Sequence, residues 1–278
     1  MGITNKLQEK LGKTMLWLCA AATLVILFII IAYVVKQGFS SLSWEFLTEM
    51  PRRRGRLGGI YPTIVSTVYL MLLSAAIATP VALGAAVYMT EYTRDNLLIR
   101  VVRFGTESLA GIPSIIFGLF GYVFFVLYLN LGWSIISGSL TLAIMILPIL
   151  IRTTEESIKT VPVAYREGSL ALGATKWQTI RKVVLPSAVP GVITGVILGM
   201  GRAVGETAAV MLTAGSALRL PENLLDNSRA MSVHLYLLSM EGTAIDKAFG
   251  TALVLIIFIL IINLSTNVLL SRFAKNVG

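Results

Sequence analysis

Cysteine and histidine are almost missing from this sequence. Among 278 residues there is one cysteine, Cys19, and one histidine, His234. A disulfide framework and a metal site built from Cys and His ligands both need more such residues, so both are excluded. The sequence also lacks a glycine-rich loop followed by Lys and Ser or Thr, the pattern that cradles nucleotide phosphates. We therefore expect a chain that binds no metal or cofactor and does not hydrolyse ATP by itself.

Charged residues are scarce as well. They make up 13% of the chain and hydrophobic residues 56%, whereas soluble domains carry about 25% charged residues. A soluble core could not hide so much apolar surface, so a lipid bilayer must solvate much of it. The net charge of +9 would suit nucleic acid. It also follows from the excess of Lys and Arg that membrane proteins carry in their cytoplasmic loops, which we favour.

Six apolar stretches are long enough to cross a membrane as helices. They lie at residues 15–35, 64–90, 109–129, 134–151, 190–214 and 248–270. The first follows three lysines and is too long for a signal peptide, whose apolar part has about 7–15 residues. The sequence predicts an all-α integral membrane domain over 15–270, a cytoplasmic N-terminal segment 1–14 and a cytoplasmic tail 271–278. His234 falls in an outer loop, where we expect it to be solvated.

Lys and Arg counts predict the orientation of these spans. If the N-terminus is cytoplasmic, the four cytoplasmic segments hold 3, 3, 6 and 2 basic residues, which makes 14 in total. The three outer segments hold 5, 0 and 3, which makes 8. This bias favours a cell-membrane protein with both termini cytoplasmic. Four of the outer basic residues are Arg52, Arg53, Arg54 and Arg56. They form a loop that is solvated or contacts lipid headgroups. Alternatively, their positive charge attracts an anionic substrate or docks a partner protein.

The inner segment 152–189 carries the most specific pattern. Pro162 suits the start of a helix, and Gly173 allows the left-handed turn that ends one. We expect a second helix near 175–183, broken by Pro186 and Pro190 before the fifth span. The mixture of apolar and basic residues in this helix–turn–helix suits a docking surface.

The spacing in this segment resembles the cytoplasmic EAA loop of the MetI-like permeases of ABC importers. In that pattern, Glu-Ala-Ala is followed by Gly after three residues and by Ile-x-Leu-Pro further on. The matching positions here are Glu167, Gly168, Ser169, Gly173, Val183, Leu185 and Pro186. The resemblance implies a coupling helix that docks on a separate ATP-binding subunit, where small residues allow close approach. An ordinary amphipathic loop is the alternative.

Three further stretches narrow the resemblance. They are LAGIPSIIFGLFG at 109–121, LPILIRTTEESIKTVP at 147–162 and GMGRAVGETAAV at 199–210. They are similar to the PstA-type permeases of phosphate ABC importers. The resemblance implies a homologous PstC-like permease, two PstB-like subunits that hold ATP and Mg²⁺, and an extracytoplasmic PstS-like phosphate-binding protein as partners. The outer arginine cluster does not belong to the family pattern.

Arg202 and Glu206 stand inside the predicted fifth span. Arg202 is twelve residues past Pro190, roughly 18 Å along a helix and so near the middle of the bilayer. Glu206, four residues on, would share its helix face. A charge at that depth costs at least about 2.5–3.5 kcal/mol and usually serves function, although a structural ion pair is the alternative. The resemblance implies that both residues serve phosphate translocation, and we hypothesise that Glu206 accepts a hydrogen bond from the proton of hydrogen phosphate.

Arg152 and five glycines complete the candidate residues. Arg152 reads as an anchor at the membrane surface, but the resemblance implies that it too serves translocation. Gly191, Gly195 and Gly199 share one helix face, as do Gly201 and Gly205, and such small residues let helices approach closely. The sequence therefore predicts packing seams here, against neighbouring helices or a partner subunit.

Taken together, these features predict the permease subunit of an ATP-driven phosphate importer. The alternatives are a permease of the same family for sulfate or molybdate, and a channel or secondary transporter that has no ATPase. A membrane enzyme ranks last, because the spans contain no set of nucleophile, base and metal ligands.

Overall fold

The computed structural model describes residues 2–93, 96–242 and 244–277. Met1, the first residue of the predicted N-terminal segment, and Gly278, the last residue of the predicted C-terminal tail, lie outside the described residues. Within the described part the chain is almost wholly helical, and it contains one short antiparallel hairpin. The principal helices, numbered in chain order, are α1 (Gly2–Phe39), α2 (Trp44–Thr48), α3 (Tyr61–Val87), α4 (Leu97–Ala110), α5 (Ser114–Gly121), α6 (Ile135–Thr160), α7 (Val163–Ala171), α8 (Lys176–Thr179), α9 (Leu185–Gly205), α10 (Ala208–Thr213), α11 (Met231–Glu241) and α12 (Ile245–Val277).

Five helices of the described chain are long and apolar enough to cross a membrane. They are Glu9–Phe39, Tyr61–Tyr92, Ile135–Thr160, Lys176–Gly205 and Ile245–Ser265. Each of these helices has at least 21 residues, and a hydrocarbon core requires roughly 20. Five of the six predicted spans are confirmed as helices of this kind, and the fold is the predicted all-α membrane class.

The third predicted span is not one straight helix. Ile99–Ala110 and Ser114–Tyr128 meet at an angle of 103°. The turn falls at Gly111–Pro113, because Pro113 cannot continue a helix and favours an extended residue before it. The apolar part of α4 therefore bends away from the span. Asn96 starts α4, and its side chain accepts the main-chain N–H of Ile99 at 3.1 Å.

The fourth span, α6, is the centre of the bundle. It packs against α3, α9, α10 and α5. Of its most apolar stretch of 18 residues, 67% is buried within the chain. By contrast α1 contacts α12, and its most apolar stretch is 0% buried within the chain. A helix that is apolar all round and has so few protein neighbours must face lipid or another subunit.

The two ends of the bundle differ in their connections. At one end, here the hairpin end, lie the strands β1 (Pro51–Arg52) and β2 (Leu57–Gly58), the loop 214–230 and α11. At the other, here the α7 end, lie α4, α7 and α8. A π-helical segment, Ile180–Val184, joins α8 to α9.

Two expectations about the fifth span are wrong. Pro186 and Pro190 do not break it, because Lys176–Gly205 is continuously helical. Pro186 lies in the first turn of α9, where a missing N–H costs little, and the wider π segment just before it accommodates the ring. The span instead breaks at Glu206, whose backbone is extended with φ −74° and ψ 129°.

His234 is not in a solvated loop. It lies in α11 and is 0% exposed. Its ring packs under Gly55, where an added Cβ would come within 2.5 Å of Cε1. The apolar residues on both sides, in MSVHLYLL, were a signal for burial in the sequence.

Candidate functional site

A cleft of about 390 Å³ is lined by residues of α4 and α6 and by Arg202 of α9. Its lining residues are mostly charged: Arg103, Arg152, Lys159 and Arg202, with Glu107, Glu155 and Glu156, and also Thr106, Ala110, Pro148, Ile149 and Ile151. Four basic and three acidic side chains leave a net charge of about +1. The structure therefore brings two of the three predicted translocation residues, Arg152 and Arg202, to one cavity.

The depth of Arg202 follows from how α9 packs on α6. A Cβ added to Gly191, Gly195 or Gly199 would collide with Ser157, Thr153 or Leu150, respectively. These contacts confirm the predicted packing seam. Arg202 is less than one turn past Gly199, so it is level with the middle of α6.

Arg202 lies three residues after Gly199 and seven after Gly195, so it continues the seam face of α9 and borders the cleft. The residue is exposed within the chain, and across the described residues no hydrogen bond or ion pair reaches its guanidinium. Gly201 and Gly205 share a face of α9 on which, among the described residues, no atom lies within 4 Å of an added Cβ. They form no seam with the described helices, so of the two predicted contacts the one with a partner subunit stays a prediction.

Five of the remaining charges of the cleft are paired with one another towards the α7 end. Arg103 Nη2 and Lys159 Nζ both donate to Glu155 Oε1, each at 2.6 Å. Arg152 Nε donates to Glu156 at 3.2 Å, an exposed pair one helical turn apart. Such exposed pairs contribute little to stability, so an incoming anion can compete for Arg152.

Glu206 is not paired with Arg202. Its Oε1 accepts the main-chain N–H of Ala209 at 3.3 Å, in the first turn of α10. Its carbonyl oxygen accepts from Ser232 Oγ at 2.6 Å. Because α9 ends at Gly205, the predicted shared helix face does not exist. Glu206 holds the junction between α9, α10 and α11 and does not line the cleft.

The predicted coupling segment lies at the α7 end. Pro162 precedes α7, and Gly173 has φ +83°, which confirms the predicted helix start and left-handed turn. Glu167 and Gly168 are exposed, whereas Ser169 Oγ bonds Thr179 Oγ1 at 2.9 Å. Leu185 packs against the small apolar cluster around Ile158, Ile180 and Val184, and Pro186 is exposed beside it.

The apolar residues of this segment are presented outward. Leu172 is 91% exposed, and none of the residues of α7 is buried. The other large exposed side chains here are Val163, Tyr165, Leu170 and Trp177. Such a patch on a short surface helix marks an interaction site.

The outer arginine cluster forms the turn of the hairpin. Arg53 and Arg54 have φ +47° and +62°, a left-handed conformation that is uncommon for residues other than glycine. All four arginines are exposed, and Arg56 contacts Glu241 at 3.5 Å.

Below the hairpin, the buried His234 lies beside the half-buried Arg229. Arg229 Nη1 is 3.5 Å from His234 Nδ1, and His234 Nε2 is buried without a hydrogen-bond partner. Burial first, and then the charge of Arg229, lower the pKa of His234 to about 4. The imidazole is therefore neutral at physiological pH.

Comparison with known proteins identifies the family. The family described as "Binding-protein-dependent transport system inner membrane component" matches residues 78–278. This chain belongs to that permease family. It is a multi-pass inner-membrane component of an ABC importer, as the EAA-like loop and the six-span pattern predict.

Relatives of this permease cover most of its length. The probable ABC transporter permease protein YqgI of Bacillus subtilis is 35% identical over 279 residues, 95% of each chain. The phosphate transport system permease protein PstA of Mycobacterium leprae is 31% identical over 84% of this chain and 79% of its own. A bacterial alginate ABC transporter, solved with its substrate-bound periplasmic protein, has TM-score 0.72 at 16% identity and covers 98% of both chains. At that identity the likeness supports the fold alone.

Proposed function

We propose that this permease translocates inorganic phosphate into the cytoplasm. The observation that carries the proposal is Arg202, which lies in the last turn of α9, level with the middle of α6. Its guanidinium has no partner among the described residues and borders a cleft that continues to Arg152. A charge at this depth is costly and is usually kept for function. The similarity to a phosphate transport permease favours phosphate as the anion.

The chemistry of the cleft suits transient binding of an oxyanion. A guanidinium offers paired N–H donors that match two oxygens of phosphate. Binding must also be weak enough for release. The net charge of about +1 and the neighbouring carboxylates Glu107 and Glu156 limit the attraction, and Arg152 offers a second, exposed position on the way out.

Energy would come from outside the chain. In the proposed importer, two ATP-binding subunits hold ATP and Mg²⁺ and dock on the exposed apolar patch of α7 and Trp177. A homologous permease packs on the open face of α9 around Gly201 and Gly205, and an extracytoplasmic phosphate-binding protein delivers the anion. The α7 end is cytoplasmic in this proposal, following the 14-to-8 excess of basic residues. Alternating access exposes Arg202 first to the outer and then to the inner side.

ATP-dependent uptake of labelled phosphate by the reconstituted importer tests this function. Arg202→Gln should lower uptake about 10- to 100-fold, the effect of losing charged hydrogen bonds of about 1.5–3 kcal/mol. Arg152→Gln should lower it by less, because Arg152 is exposed and paired. Lys36→Gln, which removes an exposed charge from the last turn of α1, is the matched control and should transport normally.

Three outcomes would contradict the proposal in different ways. Normal uptake by Arg202→Gln would remove Arg202 from the pathway. Uptake of sulfate or molybdate in preference to phosphate would assign the permease to another oxyanion. Uptake that needs no ATP, by a chain that purifies without any ATPase subunit, would favour a channel or secondary transporter.

A further inference from the structure

Arg166, on the coupling segment, turns inward although its neighbour Glu167 faces solvent. Its guanidinium donates four hydrogen bonds. Nε and Nη2 reach Glu91 Oε1 at 3.0 and 2.8 Å, Nη1 reaches the carbonyl of Val161 at 2.6 Å, and Nη2 reaches the carbonyl of Ile158 at 2.9 Å. The Arg166 side chain is 21% exposed and that of Glu91 10%, so water screens the pair only in part.

These four bonds join three separate parts of the fold. Glu91 lies in the π-helical segment Tyr88–Tyr92 that ends the second span. Ile158 belongs to the last turn of α6, and Val161 is its C-cap. Arg166 itself belongs to α7. One side chain therefore ties the coupling helix to the inner ends of the second and fourth spans.

Few other polar contacts hold α7 to the bundle. In the part of the chain that the structure describes, the other side-chain hydrogen bond of α7 is that of Ser169 with Thr179, which leads to α8 and not to these spans. None of the α7 residues is buried. Displacement of α7 can therefore reach the second and fourth spans directly through Arg166.

A purely structural role would be to cap α6. An arginine at the C-terminus of a helix is favourable because it binds the last carbonyls and complements the helix dipole. Capping, however, uses the bonds to Ile158 and Val161 and does not require Glu91. The two charged hydrogen bonds to Glu91 Oε1 add a link to another span, and α6 carries Arg152 and much of the cleft.

We propose that Arg166, through Glu91, transmits movement of the coupling helix to the second span, which packs along α6, the helix that lines much of the cleft. It is a positioning residue for ATP-driven transport, and the assignment rests on the proposed coupling of this chain to an ATPase. Breaking the Arg166–Glu91 link should uncouple hydrolysis from transport while the importer stays assembled.

Glu91→Gln is the decisive variant, since it removes the charge but leaves Arg166 free to cap α6. In the reconstituted importer we expect ATP hydrolysis close to wild type, and phosphate moved per ATP reduced about tenfold or more, as for loss of a charged hydrogen bond. Arg166→Lys, which keeps the charge but not the fork, should give an intermediate ratio. Glu9→Gln, at an exposed pair of the same charges with Lys13, is the control and should leave the ratio unchanged.

A second readout is independent of the transported anion. Ile149, which lines the cleft, is replaced by cysteine in a Cys19→Ser background, and its alkylation by a maleimide is followed with and without a non-hydrolysable ATP analogue. The nucleotide should change the rate in the wild-type complex and in Glu9→Gln, and this change should be lost in Glu91→Gln.

The outcomes separate this inference from the proposed function. Failure of the wild-type complex to import phosphate, with a nucleotide effect on alkylation that Glu91→Gln abolishes, would overturn the substrate and support the transmission role. A wild-type ratio and nucleotide response in Glu91→Gln would overturn the transmission role. Loss of the ATPase subunits or a lower melting temperature in Glu91→Gln would also overturn it, because the link would then be structural.

Discussion

The two ends of the bundle treat polar groups in opposite ways. At the hairpin end, Ser134, Ser137, Thr213 and Ser228 are all 0% exposed, and His234 is buried as a neutral ring. At the α7 end the cleft is lined by seven charged side chains. Within this chain, therefore, Arg202 borders the charged cleft of the α7 end, whereas the hairpin end buries neutral polar groups.

Sequence composition does not explain this difference. The hairpin end carries as many clustered arginines as any segment, yet its charges sit on the surface of the turn while the neutral polar groups fill the interior. Asn227 Oδ1, for example, accepts the main-chain N–H groups of Ser216 and Ala217 at 3.0 and 3.1 Å. Such internal bonding satisfies the backbone donors of this loop without water.

The largest predicted effect is a loss of folding stability when the packing of the hairpin end is disrupted at Gly55. Gly55 has φ +93°, and an added Cβ would lie 2.5 Å from Cε1 of His234. Gly55→Ala should cost about 1 kcal/mol for the left-handed backbone and about 1–3 kcal/mol for the overlap. The measurement is thermal unfolding of the purified protein in detergent.

Gly132→Ala is the matched control for Gly55→Ala. Gly132 also has a positive φ, +65°, but no atom lies within 4 Å of its added Cβ. It should show the backbone cost without the overlap. Equal melting temperatures for the two variants would mean that the hairpin does not press on His234.

The second effect is a loss of stability in acid that originates at His234. Because its folded-state pKa is about 4 and that of an unfolded histidine is about 6.5, the unfolded state binds the proton first. Stability is therefore complete above about pH 6.5 and falls as the pH drops towards about 4, by about 3 kcal/mol in all.

Unfolding measured between pH 7 and 4 in wild type and His234→Gln checks this prediction. The glutamine cannot take up a proton, so the variant should lose most of the additional acid sensitivity. The charged groups nearest the ring, Arg229 and the Arg56–Glu241 pair, remain in both proteins. Identical pH profiles would place the acid-sensitive group elsewhere, and the packing of the hairpin end would then not depend on a neutral His234.

Much of the fold could be predicted because a bilayer imposes a simple rule. Apolar runs of about 20 residues must become helices to satisfy their own backbone, and five of the six predicted spans appear as single long helices. Gly173 and the seam at Gly191, Gly195 and Gly199 could also be predicted, because backbone conformation and close packing restrict residue choice locally.

The missed features depend on contacts between residues far apart in sequence. The break at Glu206 is stabilised by Ser232, 26 residues away, and Arg166 meets Glu91 across 75 residues. Local periodicity contains no information about such pairs. It also treated Arg202 and Glu206 as one helical face, although only Arg202 lines the cleft. A single acidic residue at the end of an apolar run, as at Glu91, was a weak signal that could have directed attention there.

The smallest predicted effect concerns Glu206, which lies at the boundary between the two ends of the bundle. This residue binds α10 and α11 while Arg202, four residues earlier, lines the cleft. Glutamine keeps an acceptor for the Ala209 N–H, so Glu206→Gln should change the free energy of unfolding by less than about 1 kcal/mol. If the Glu206 carboxylate also accepts the proton of hydrogen phosphate, which sulfate lacks at neutral pH, the discrimination between the two anions should fall about fivefold, the effect of one net hydrogen bond. Competition of sulfate with phosphate for uptake into vesicles measures this ratio. An unchanged ratio with normal uptake would restrict Glu206 to holding the junction, and the anion site would then lie wholly on the α7 side of the break.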